Sequence, residues 1–86
     1  MYWVEDMRYY KACEEYDEKV EIDLLDDRLF YMTTCVVDII ELERGLINAP
    51  CGNGTDLEIN PELRDYILSF VKMNRKDDLR QRNTEV

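Results

Sequence analysis

All three glycines and both prolines of this chain fall between residues 45 and 61. Glycine and proline interrupt helices and strands more strongly than other residue types do. The chain before Gly45 and after Pro61 contains neither of them. This distribution predicts a long N-terminal region, one irregular connection and one C-terminal element, all within the single small domain that 86 residues can form.

The C-terminal segment carries the strongest helix signal. Asn60 is a favourable N-cap, and Pro61 suits the first helical position because its missing N–H would be unpaired there. Apolar side chains then recur at spacings of three and four, namely Leu63, Tyr66, Ile67, Phe70 and Met73. The pattern predicts a helix from 61 to about 76, a single helical domain over 1–78 and a frayed basic tail over 79–86.

The middle segment fits two structures. A helix capped by Asp26 or Asp27 and ended by a glycine at Gly45 accounts for one set of apolar residues, namely Leu29, Met32, Val36, Ile39 and Ile40. The alternative is a β-hairpin made of 19–24 and 28–37, which the β-branched residues near Thr33 favour. Asp26-Asp27 lacks the glycine that two-residue hairpin turns prefer, so we favour the helix.

The first segment, about 3–18, also fits a helix with two aromatic stripes. One stripe contains Tyr9, Cys13, Tyr16 and Val20, and the other contains Trp3, Met7 and Tyr10. Together the three segments predict an all-α fold, a small three-helix domain with a glycine- and proline-containing loop before the last helix. The alternative is an α+β fold with a hairpin at 19–37.

Charge and composition narrow the function. The chain has 20 acidic and 11 basic side chains, a net charge of −9 and no histidine. Such a chain is repelled by nucleic acid and by anionic lipid, and it has no Ser–His or Cys–His nucleophile pair. No apolar run approaches the roughly 18 residues of a membrane span. We therefore expect no direct nucleic-acid or membrane binding, no cofactor, no metal site and no enzymatic activity.

Acidic residues crowd the stretch from Glu14 to Asp27, which holds eight carboxylates and one lysine. On a helix, Glu14, Asp17, Glu18 and Glu21 would share one face, either a solubilising face or a docking surface for a basic partner. In its extreme form such a surface mimics the nucleic-acid backbone. The predicted partner-binding residues are the aromatic anchors and the acidic cluster, namely Trp3, Met7, Tyr10, Glu14, Asp17, Glu18, Glu21, Asp23, Asp26 and Asp27.

Two functional hypotheses follow from these patterns. The first is a small acidic regulator or inhibitor that docks on a basic surface, such as the nucleic-acid-binding site of another protein. The second is a homo-oligomeric structural or assembly subunit, because a middle helix that is apolar all round needs a second copy to cover it. A short, acidic, histidine-free and aromatic-rich chain is similar in profile to many phage or plasmid inhibitor proteins.

Three cysteines cannot all pair within one chain. No basic stretch followed by an apolar core opens the chain, so we expect no secretory signal and reduced thiols in the cytoplasm, or in a host-cell cytoplasm. Cys51 lies in the glycine-containing loop. The sequence therefore predicts that Cys51 is the exposed thiol and reacts before Cys13 and Cys35.

Overall fold

The computed structural model describes residues 2–26, 31–52 and 54–84. Its elements, in chain order, are β1 (Tyr2–Tyr10), β2 (Lys19–Asp26), β3 (Tyr31–Asp38), α1 (Ile39–Glu43), β4 (Asn48–Pro50), β5 (Asp56–Glu58) and α2 (Pro61–Thr84). The first three strands form an antiparallel sheet in the order β1-β2-β3, and β4 pairs with β5 in a smaller antiparallel sheet. The fold is therefore mostly β with one long helix.

The predicted all-α, three-helix fold is wrong, and the period of burial in β2 shows why. Val20, Ile22 and Leu24 are buried, whereas Glu21 and Asp23 between them are partly exposed. Burial at every second residue is the period of a strand with one covered face. The alternative hairpin matches the observed pairing, in which β2 and β3 run antiparallel with Val20 opposite Val37. Asp27 and Leu29, at the predicted turn or helix start, lie outside the described residues.

The first two predicted helices are replaced by other elements. Residues 3–18 form most of β1 and a loop over 11–18. The middle helix is reduced to α1, which Asp38 caps by accepting a hydrogen bond from the Glu41 N–H at 3.1 Å. Its predicted end at Gly45 is confirmed, because this glycine has a φ of +105° and its N–H donates to the Leu42 carbonyl at 3.1 Å.

Helix α2 begins where the sequence predicts. The Asn60 side chain accepts a hydrogen bond from the Leu63 N–H at 2.8 Å, as an N-cap does. The helix then continues past the predicted end at about residue 76 to Thr84. Its buried side is also narrower than expected, because Ile67 is fully buried whereas Tyr66 and Met73 are exposed. The division of the chain at residues 78 and 79 stays a prediction.

The core lies between one face of the larger sheet and α2. Its buried residues come from nearly every element, namely Val20, Ile22, Leu24, Cys35, Val37, Ile39, Leu42, Ala49, Leu57, Ile59, Ile67 and Val71. Two arginines of α2 hold the helix against neighbouring elements through hydrogen bonds. The Arg64 guanidinium donates to the Leu42 carbonyl at 2.7 Å, and Arg75 pairs with Glu18. The other face of the sheet is not covered by any described element.

A disulfide joins Cys35 in β3 to Cys51, and Cys13 is free and exposed. The chain after β4 folds back on β3, where the Gly52 N–H donates to the Thr34 carbonyl at 2.9 Å. This contact places the Cα atoms of Cys35 and Cys51 4.1 Å apart. The prediction of reduced thiols is therefore wrong for Cys35 and Cys51, and so is the prediction that Cys51 is the exposed thiol.

We expect a thiol reagent to modify only Cys13 in the oxidised native protein. The backbone N–H of Glu15 lowers the pKa of the Cys13 thiol, which favours its reactive thiolate. Reduction should release Cys35 and Cys51 and lower the free energy of unfolding by about 3 kcal/mol, the chain-entropy value for a loop of this length. Peptide mapping and denaturant titration measure both effects. Modification of Cys51 before reduction would contradict the pairing.

Candidate protein-binding groove

A groove of about 670 Å³ opens where α2 begins, at the end of the larger sheet that holds Trp3. Strands β1 and β2 supply one wall, and β5, the residues after it and the first turns of α2 supply the other. The lining residues are Trp3, Val4, Leu24, Asp56, Leu57, Glu58, Asn60, Glu62, Leu63 and Tyr66. This volume lies within the range of about 300–1,000 Å³ that is usual for ligand-binding clefts.

Two exposed aromatic residues border this groove. Trp3, the only tryptophan of the chain, is 46% exposed, and Tyr66 is 60% exposed. Trp3 lies opposite Leu25 of β2, so its side chain is on the same face of the sheet as Asp23, away from Val4 and Leu24. Tyr66 is therefore the aromatic ring on the α2 side of the groove, whose lining also includes the buried Leu24 and Leu57. An exposed aromatic ring at a concave surface is typical of protein-binding sites.

The polar lining of the groove is acidic. Asp56, Glu58 and Glu62 are exposed, and no lysine or arginine is among the lining residues. Within the described part of the chain, no salt bridge reaches any of these three carboxylates. The groove therefore presents unpaired negative charge next to aromatic surface.

Local structure explains how these side chains are placed. Strand β5 alternates exposed, buried and exposed residues, so Leu57 enters the core while Asp56 and Glu58 face outward. The Ile59 N–H donates to the Ile47 carbonyl at 2.8 Å and fixes the chain just before the cap of α2. On the other wall, the pairing register of β1 shifts between Val4 and Asp6, and such a bulge redirects the strand end.

The structure separates the three predicted aromatic and apolar anchors. Trp3 borders the groove, whereas Met7 is half-buried and packs against the core. Tyr10 is half-buried at the far end of β1, where its hydroxyl donates to Glu21 at 3.0 Å. Seven residues of strand span about 23 Å, so Trp3 and Tyr10 do not belong to one contact surface of small size.

The predicted acidic face is also divided, because no helix carries it. Glu14 and Asp17 are exposed in the loop 11–18, and Glu18 is bound by Arg75. Glu21 and Asp23 lie on the uncovered face of β2, and Asp26 ends that strand. The predicted residue Asp27 falls outside the described part of the chain.

Glu21 and Asp23 are engaged by an arginine of the same sheet. The Arg8 guanidinium donates to both carboxylate oxygens of Asp23, at 2.7 and 2.8 Å, and to Glu21 at 3.4 Å. Thr34 also donates to Asp23 at 2.8 Å. These hydrogen bonds, Arg8 first, lower the pKa of Asp23 to about 2. Both carboxylates therefore stabilise the uncovered face and offer little free charge to a partner.

Glu18 has a similar structural role on the covered side. Its carboxylate accepts hydrogen bonds from Arg75 in α2 and from the Tyr9 hydroxyl in β1. The Arg75 guanidinium is the main cause of the lowered pKa of Glu18, and burial is the main cause of the raised pKa of Tyr9. This contact joins α2 to the loop between β1 and β2.

The sequence does not indicate Asp56, Glu58, Glu62 or Tyr66 as site residues. The spacing of Tyr66 predicts the buried side of the last helix, which is wrong because Tyr66 is exposed. The signal that the sequence does contain is the polar–apolar–polar order of Asp56-Leu57-Glu58 directly before a capped helix. A strand of three residues is too short for its alternation to stand out from chance. Among the described residues, no group of three or more Cys, Asp or Glu side chains is placed to hold a metal ion.

We expect Asp23→Asn to lower the thermal midpoint of unfolding at pH 7, because it removes the paired carboxylate. The folded-state pKa of Asp23 is depressed, so its stabilisation is present above about pH 4 and lost as the pH falls toward 2. The difference in thermal midpoint between Asp23→Asn and the parent chain should therefore shrink as the pH falls from about 4 toward 2. Asp17→Asn, in the exposed loop, is the control. A difference that stays constant from pH 7 to pH 2 would contradict the Arg8–Asp23 interaction.

Comparison with known proteins returned no match, whether to family models, to curated proteins or to solved structures. Within the described residues, no helix combines the length and apolar character needed to cross a membrane.

Proposed function

We propose that this chain is a non-catalytic binding protein that docks on a basic surface of another protein through the groove. One observation carries the proposal, namely that exposed Tyr66 lines the groove together with the exposed carboxylates of Asp56, Glu58 and Glu62. Aromatic rings supply contact area that loses water on binding, and the carboxylates select a partner of opposite charge.

The remaining acidic residues act at longer range. A net charge of −9 accelerates the encounter with a basic surface, and this acceleration weakens as salt screens the charges. Glu14 and Asp17 in the exposed loop add to this field. Glu21 and Asp23 add less, because Arg8 compensates them.

A nucleic-acid-binding site on another protein is one example of a basic surface that the groove could cover, and regulation or inhibition of that protein would follow. The row of carboxylates on one helical face no longer supports backbone mimicry, because residues 14–21 are not helical. Mimicry of the nucleic-acid backbone therefore depends on the carboxylates of the groove and of the surface near it.

A cytoplasmic location stays a prediction from the sequence. The Cys35–Cys51 disulfide is of a kind that persists mainly in oxidising compartments, so it counts against that location.

Self-association is the second candidate, and the uncovered sheet face favours it. Met32 and Val36 are 53% and 37% exposed on that face, beside the charged residues around Arg8. The predicted middle helix that is apolar all round does not support self-association, because residues 31–38 form a strand. Sedimentation of Met32→Thr against the parent chain tests this candidate. Dimers that persist in both would exclude this face as the interface.

We expect the double variant Asp56→Asn/Glu58→Gln to bind a basic peptide about fivefold more weakly than the parent chain does. The probe is a fluorescein-labelled octapeptide that alternates glycine and lysine, and fluorescence anisotropy measures its affinity. The matched control is Glu14→Gln/Asp17→Asn, which removes the same charge from the exposed loop.

The control variant should change the affinity by less than about twofold at physiological ionic strength, where charges more than about 8 Å away are largely screened. Thermal midpoints should be similar for both variants, since all four side chains are exposed. Equal weakening by the two variants would contradict the proposal, because it would show that net charge, and not the groove, determines binding.

A further inference from the structure

We propose that the groove recognises an arginine side chain in the basic segment of its partner, in preference to lysine. This inference rests on the proposed function and names the ligand chemistry of the same site. It follows from two features of the groove taken together, namely the exposed ring of Tyr66 and the two outward carboxylates of β5.

The aromatic ring of Tyr66 favours a planar and weakly hydrated cation. A guanidinium stacks flat on a phenol face, whereas the ammonium of lysine is compact and keeps its water more tightly. Tyr66 is 60% exposed, so its ring is accessible to an incoming side chain. An apolar floor that includes Leu57 suits the aliphatic part of the same side chain.

The carboxylates supply the matching hydrogen-bond acceptors. Asp56 and Glu58 flank the buried Leu57 and therefore project from the same outer side of β5. A guanidinium can donate two parallel hydrogen bonds to a carboxylate, which lysine cannot do. The Asn60 side chain is occupied as the cap of α2, which leaves the carboxylates as the main acceptors of the groove.

The rest of the molecule shows that this chain pairs its carboxylates with arginine. On the uncovered sheet face, Arg8 binds Asp23 through two nitrogen atoms and also reaches Glu21. Beside α2, Arg75 binds Glu18 through two nitrogen atoms. The groove has the same kind of acceptor with no arginine or lysine in its lining. Its charge is thus complementary to an arginine from outside the chain.

The test uses three unlabelled octapeptides, in which glycine alternates with arginine, lysine or uncharged citrulline. Trp3 is the only tryptophan and borders the groove, so its emission is a reporter placed beside the site. We expect the arginine peptide to bind about tenfold more tightly than the lysine peptide and to change the Trp3 emission. Citrulline keeps the shape of arginine without its charge, and its peptide should not bind at a comparable concentration.

Tyr66→Leu should reduce the preference for arginine over lysine from about tenfold to about twofold, because it removes a ring and leaves the carboxylates. Tyr66 is exposed, so the variant should fold. Tyr16→Leu is the matched control in the loop 11–18 and should keep the full preference, as measured by peptide titration calorimetry.

The outcomes separate the two proposals. Equal affinities for the arginine and lysine peptides, both weakened by Asp56→Asn/Glu58→Gln, would overturn arginine recognition and leave the proposed function intact. Affinities that do not respond to the groove variants would overturn both. An arginine preference that Tyr66→Leu and Tyr16→Leu reduce equally would also overturn the assignment of that preference to the groove.

Discussion

The burial of one face of the three-stranded sheet beneath α2 is the contact on which the rest of the structure depends. Val20, Ile22 and Leu24 of β2 share a core with Ile67 and Val71 of the helix. Because strand side chains alternate, this burial fixes the register of β2 and sends Glu21 and Asp23 to the opposite face, where Arg8 meets them. It also sets the start of α2 at the end of the sheet, and the groove opens between the two.

The packing of α2 on the sheet divides the acidic side chains into two groups. Some carboxylates are held by arginines of the chain itself, at Asp23 on the uncovered face and at Glu18 beside α2. Others remain exposed, in the loop 11–18 and around the groove. The groove combines its exposed carboxylates with the exposed ring of Tyr66 and with the buried Leu24 and Leu57 among its lining residues. For that reason, net charge alone does not identify a binding surface here, whereas the position of the charge relative to the groove does.

The sequence predicted those features that depend on a few neighbouring residues. The cap at Asn60, the start of α2 and the helix end at Gly45 are local, and all three are confirmed. The predicted helices at 3–18 and 26–45 failed because spacings of three and four can also be found in a strand whose two faces both carry apolar residues. Only pairing with β2, which spacing within a single segment does not reveal, decides between the two.

The groove shows the same contrast between features that depend on neighbouring residues and features that depend on distant ones. The sequence predicts Trp3 as a binding residue from its type and its place in an aromatic stripe, and in the structure Trp3 borders the groove. Its neighbours there, such as Glu58 and Tyr66, are more than fifty positions away in the chain. The most direct test of the groove is therefore a titration of the full chain with the arginine peptide, followed by backbone-amide NMR. The shifts should concentrate at residues 3–4 and 56–66 and leave the loop 11–18 unchanged. Shifts that centre on the loop, or spread evenly over all acidic residues, would contradict the account.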